Sequence, residues 1–250
     1  MDGGIDVADR TSQGRAVVVA VLVAVAGLLV GGALVLLAAL LLAAASVDLD
    51  LAGSLVLAAV LSQVGFMATA IGFLTYTGRG LSYVRARVPT GRDLLWIGGA
   101  YVLALVGAMT GAMLATFVEA PTASNQVAEF GVQRPETLLL LVPIAFLFVG
   151  PGEELLFRGV VQSRLRETFG PWVAVLAASA LFASLHVVAL TGGLSGRLVS
   201  IGLLFVPSLV LGAAYERTRN LVVTVVVHGA YDATLFALLY VAVRFAPGAA

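Results

Sequence analysis

There is no cysteine in this 250-residue chain, which removes disulfide frameworks, thiolate metal sites and cysteine nucleophiles and leaves nothing that reports a redox compartment. There is no lysine either; all fourteen basic residues are arginine. Charge of any kind is scarce, at 11% of residues against about 25% in an average soluble domain. The fourteen arginines cancel fourteen acidic residues. With no net field and no basic patch interleaved with aromatics, nucleic acid is excluded as a partner. Histidine is rarer still, with two in the chain.

Apolar residues fill the space that charge vacates. They make up 60% of the chain and raise mean hydropathy to +1.06, the balance of an integral membrane protein. A helix needs about 20 apolar residues to cross the hydrocarbon layer. Runs of that kind cover residues 16–45, 51–77, 94–118, 172–190, 198–214 and 221–243, and a further one opens at Thr137 and passes through Pro151 and Gly152. The fold expected is therefore all-α: a polytopic transmembrane helix bundle of about seven spans, or eight if Pro151 breaks the long run. The first run is much longer than a signal-peptide core of roughly 7 to 15 residues and reads as a retained span.

Between the runs, residues 1–15 read as a disordered polar tail and residues 119–136 as the longest polar connection, lying along the surface. Gly107 and Gly111 have the small-xxx-small spacing that lets helices approach closely. Trp172 and Tyr215 read as interface anchors. Eleven of the fourteen arginines, counting Arg158, fall on the amino tail and the second, fourth and sixth loops. That asymmetry predicts a multi-pass protein of the cell membrane with its amino terminus in the cytoplasm.

The chemistry concentrates in G-E-E-L-L-F-R-G, residues 152–159. Charge at membrane depth is costly, and groups that persist there usually face a bundle interior and act on something. On one helix Glu154 and Arg158 stand four residues apart and can pair, while Glu153 points about 100° away and is left available. Glu153 lies seventeen residues before the turn at Gly170 and His186 sixteen after it, about 25 Å along each arm. His228 enters from the same side, with Asp232 one turn further on the same face. Both histidines thus fall inside apolar spans at the depth of the glutamates, in the cytoplasmic half.

A carboxylate poorly solvated by water is a strong enough base to take a proton from it, and Glu153 is the candidate. His186 can share or orient that water. His228 with Asp232 can face a substrate carbonyl and stabilise a developing oxyanion, provided that one of the two is protonated. The same four side chains, Glu153, His186, His228 and Asp232, can instead hold a divalent metal such as zinc. No H-E-x-x-H helix favours that reading, and the cofactor is none or a divalent ion.

E-E-x-x-x-R, F-x-x-x-H and H-x-x-x-D, in this order on consecutive spans, resemble the CAAX prenyl protease and bacteriocin-processing family of intramembrane endopeptidases. The likeness runs over roughly residues 137–239 and includes Gly159 and the Tyr215-Glu216-Arg217-Thr218 turn. It implies an α-helical membrane fold, a cytosol-facing cavity and hydrolysis of a peptide bond in a membrane-tethered or lipidated, for instance prenylated, substrate. It also implies Glu153 as the catalytic glutamate, His186 beside its water, Glu154 and Arg158 in support, and His228 with Asp232 on the oxyanion side. Position 232 is often asparagine in that family. An ionised Asp232 would repel an oxyanion, so the resemblance requires it protonated, paired with His228 or bound to a cation. The chain then divides into the tail 1–15, amino-terminal spans and loops 16–136, and a catalytic core 137–245. The competing readings are a non-catalytic membrane scaffold or immunity-type protein on the same fold, and an ion or proton carrier, for which no inverted repeat is visible.

Overall fold

The structure, a computed structural model, describes residues 7–245. It contains α1 (Val7–Ala44), α2 (Leu51–Tyr76), α3 (Gly91–Phe117), α4 (Gln126–Gln133), α5 (Pro135–Leu165), α6 (Pro171–Leu185), α7 (Leu194–Thr218) and α8 (Leu221–Phe245). All but α4 are long and apolar enough to cross a membrane, α6 doing so together with the 3-10 turn His186–Ala189. With no strand among the described residues, this is the expected all-α polytopic bundle. Helix α1 begins at Val7, inside the stretch read as a polar tail, and residues 1–6 lie outside the described residues.

Short polar residues set where the spans begin. Asp50 accepts a hydrogen bond from the Gly53 amide at 2.8 Å ahead of α2, Thr90 and Asp93 form a reciprocal capping box on α3, and Asn125 caps α4. Each satisfies amides that have no partner within the helix. Helices α5 and α6 open instead on Pro135 and Pro171, whose missing N–H costs nothing in a first turn.

The surface is apolar where lipid must lie: Leu29 of α1 is 66% exposed and Met113 of α3 70%. Lipid removes the usual hydrophobic drive for helix association, so close fit has to hold the spans together. Gly107 and Gly111 supply it on α3, where an added Cβ would press on Val206 and Leu203 of α7. In the centre, Leu156, Phe157, Val160 and Val161 of α5 pack among Ala20 and Ala24 of α1, Ala70 and Leu74 of α2, and Ala174, Ala178 and Phe182 of α6. Small residues on the surrounding spans let α5 sit in the middle of the bundle.

Helix α5 does not break at Pro151. It runs on through two wide π-helical stretches, Ala145–Val149 and Leu155–Gln162, which flank the tight turn Gly150–Glu154. The Gly150 amide reaches back five residues to the Ala145 carbonyl, so the ladder widens just before a proline that has no N–H to give. A wide turn accommodates the ring where a tight one would clash or kink.

The two faces of the bundle differ. On the arginine-rich face, residues 78–90 close over the helix ends. The Arg87 amide donates to the Asn220 side chain at 3.1 Å, the Leu221 amide to Arg85 O at 3.1 Å, and Tyr215 Oη to Val84 O at 3.0 Å. Tyr215, read as an interface anchor, is thus buried, its ring drawn inward by that carbonyl; Trp172 is 55% exposed, with the Arg217 guanidinium 5.7 Å from its ring. Tyr83 donates to Glu167 at 2.6 Å, and burial, reinforced by that carboxylate, holds its phenol above its ordinary range. On the arginine-poor face, the long polar connection contains α4. It is tied to the turn after α6 by the Thr191 amide to Ser124 O at 2.9 Å and Thr191 Oγ1 to Glu129 at 2.6 Å.

Candidate active site

Glu153 and Glu154 sit side by side on α5, between its two wide stretches, and face different neighbours. Glu154 is fully buried. Its Oε1 is 3.2 Å from Arg158 Nη1 and accepts from His228 Nδ1 at 2.8 Å. Arg158, equally buried, donates from Nη2 to the Ser208 carbonyl and hydroxyl of α7, each at 3.0 Å, and lies 4.8 Å over the Phe182 ring. The expected Glu154–Arg158 pair is therefore an interior one that joins α5 to α6, α7 and α8.

Glu153 is held differently. Gln63 of α2 donates to its Oε1 at 3.1 Å, while Oε2 has no hydrogen-bond partner among the described residues. That contact needs α2 very close to α5. Gly152 provides the room: a Cβ there would come 3.0 Å from the Gln63 carbonyl and 2.6 Å from its amide oxygen.

His228 Nδ1 meets a carboxylate, which can only accept, so that nitrogen carries the proton. Nε2 then faces Glu153 Oε2 at 3.7 Å and Asp232 Oδ2 at 3.5 Å. His186 follows the same logic one helix away. Its Nδ1 donates to the Phe182 carbonyl at 2.9 Å, which leaves Nε2 with a free lone pair. Phe182 spaces the pieces apart, with ring centroids 4.6 Å from His186, 5.0 Å from Phe157 and 6.0 Å from His228.

The structure thus gathers Glu153, Glu154, Arg158, His228 and Asp232 into one contiguous group. His186 makes no hydrogen bond or ion pair with it; it shares with Glu153 the wall of a cavity of about 500 Å³. Among the described residues, no three His, Asp or Glu side chains are placed to hold one metal ion. Of the four donors considered for zinc, His186 stands outside the group with Nδ1 turned onto its own helix, and His228 Nδ1 is turned onto Glu154.

Two contributors went unread in the sequence. Ser208 gave no signal, being one small polar residue in an apolar span. Gln63 did: it is the bulkiest polar side chain in its span, halfway along it. Gln63 also fixes the depth of the site, since twelve residues separate it from Leu51 and thirteen from Tyr76, about 18 Å from either end. Glu153 therefore lies near mid-span. The cavity extends from there to the arginine-poor face, reaching Leu51, Gln126 and Ala189. Counting residues from the Gly170 turn measures depth along two arms and says nothing about which helix ends splay.

Seven apolar spans around two buried glutamates and a buried histidine define a polytopic membrane protein with ionisable groups in its interior. Residues 135–234, α5 through most of α8, match the family model described as type II CAAX prenyl endopeptidase Rce1-like. Neither the curated proteins nor the solved structures give a match.

Proposed function

We propose that this protein is an intramembrane endopeptidase that cleaves a membrane-tethered peptide with water activated by Glu153. The observation that carries the reading is Glu153, a buried carboxylate whose Oε2 has no hydrogen-bond partner among the described residues, in the wall of a cavity that His186 also lines. A water between Glu153 and His186 Nε2 loses a proton to the carboxylate, and its oxygen adds to the scissile carbonyl carbon. His228, when protonated, donates from Nε2 to the oxyanion, with Asp232 beside it. The proton on Glu153 then passes to the leaving amine as the C–N bond breaks. Glu154 and Arg158 orient His228. The arginine-rich face lies in the cytoplasm of a multi-pass cell-membrane protein.

The test is cleavage of a quenched peptide library by the purified protein in liposomes, comparing wild type with Glu153→Gln and His186→Ala, each with and without a chelator. Cleavage by the wild type, lost in both variants and unchanged by chelator, is the expected result. Cleavage that chelator removes and zinc restores would overturn the metal-free mechanism, and a folded wild type that cleaves nothing would sink the reading.

Gln63→Ala has a smaller effect. A hydrogen bond to a charged group is worth about 1.5 to 3 kcal/mol, so losing the amide that holds Glu153 lowers kcat roughly 10- to 150-fold while the protein still folds. Single-turnover cleavage in liposomes reads this directly, and an unchanged rate would remove Gln63 from the site.

A further inference from the structure

The family likeness carries the expectation of a cavity fed from the cytosol, and the walls of this cavity point the other way. Its floor is formed by Gln63, Phe66, Glu153 and Phe157. Its mouth is built from Leu51 and Ser54 in the first turn of α2, Gln126 and Phe130 of α4, and Val188 and Ala189 just after α6. All of these lie on the face of the first, third and fifth loops.

Toward the other face, the same helix is sealed. Leu156, Phe157, Arg158, Gly159, Val160, Val161 and Gln162, nearly two turns of α5 beyond the glutamates, are all buried. They are enclosed by Ala20, Ala24, Ala70, Leu74 and Val84. Val84 belongs to the segment closing the arginine-rich face. Positive charge marks the cytoplasmic side of a membrane protein, and here it marks the closed end.

From this geometry we infer that the cavity takes its peptide from the extracytoplasmic face, so that the substrate is a membrane-anchored chain whose cleavable stretch lies outside the cytoplasm and is apolar and uncharged. The described wall contains no arginine and, besides Glu153 and His186, only Ser54, Ser62, Gln63 and Gln126 as polar side chains. Such a surface binds apolar side chains and offers a few hydrogen bonds to a peptide backbone, with no cation to hold an acidic group. A volume of about 500 Å³ is within the usual range for a bound organic ligand. The choice of substrate rests on the endopeptidase reading; the sidedness does not.

A chain without cysteine makes the test clean. Ser54→Cys and Gln126→Cys place one thiol each at the mouth, and Ser82→Cys places one on the arginine-rich face; all three positions are exposed. Intact cells and inverted vesicles are treated with a membrane-impermeant maleimide. The expected result is that the two mouth variants react at least tenfold faster in intact cells and Ser82→Cys at least tenfold faster in inverted vesicles. The reverse pattern overturns the assignment, as does reaction at Ser82→Cys with none at either mouth position from either side. Cleavage is then measured on labelled protein in liposomes. A bulky maleimide at Ser54→Cys should abolish turnover of an apolar peptide and one at Ser82→Cys should leave it within twofold; equal turnover in both would overturn the route. If unlabelled protein cleaves nothing, the endopeptidase reading fails while the labelling pattern still decides which face is open.

Discussion

Glu153→Gln lowers peptide cleavage by roughly 10²- to 10⁴-fold, the usual contribution of a positioned general base, and leaves the protein folded. Glutamine keeps the shape of the side chain and an oxygen that can still accept from Gln63 Nε2. It removes the negative charge and the basic Oε2 that now has no hydrogen-bond partner. The neighbouring buried pair is untouched, because Glu154 takes Arg158 and His228 Nδ1. The measurement is single-turnover cleavage in liposomes alongside thermal unfolding in detergent. Full activity in a folded Glu153→Gln protein would mean that the water is activated elsewhere.

Arg158→Ala acts on stability instead. Both partners of its pair are almost wholly buried, with side-chain exposures of 1% and 0%, and removing one member of such a pair costs about 3 to 5 kcal/mol because a charge is left unmatched in a poor solvent. Two further losses add to this: the Ser208 carbonyl and hydroxyl lose their donor, and the Phe182 ring loses the cation on its face. Replacing both partners, Arg158→Met with Glu154→Gln, should recover most of the deficit, since no isolated charge remains. Thermal unfolding of the two variants against wild type decides it. A loss below about 1 kcal/mol for Arg158→Ala would show that water reaches this pair, which its burial contradicts.

Much of the architecture could be read from charge alone. Seven apolar runs became seven spans, because lipid forbids unpaired backbone and leaves helices as the simplest solution. The Glu154–Arg158 pair followed from helical spacing, and the meeting of His228 with both glutamates followed from counting depth. What escaped was whatever depends on the shape of the packed bundle. Pro151 suggested a break, and two wide turns absorbed it. Tyr215 has the composition of an anchor, but a carbonyl of the second loop holds it inside. Gln63 was visible as the amide side chain midway along an apolar span, yet nothing in a linear count says that α2 crosses α5 opposite Gly152. The side on which the cavity opens is of the same kind, since it depends on how eight helix ends diverge.

The Gln63–Glu153 contact also has an evolutionary side. The segment that matches the protease family begins at residue 135, but one hydrogen bond to Glu153 and one wall of its chamber come from residues 51–66. The matched segment is therefore not a severable unit. The groups proposed to react sit on α5, α6 and α8, while the chamber around them is shared with a preceding helical hairpin that lies outside the match. Changes in that hairpin would alter the size and chemistry of the chamber without touching a residue of the matched segment.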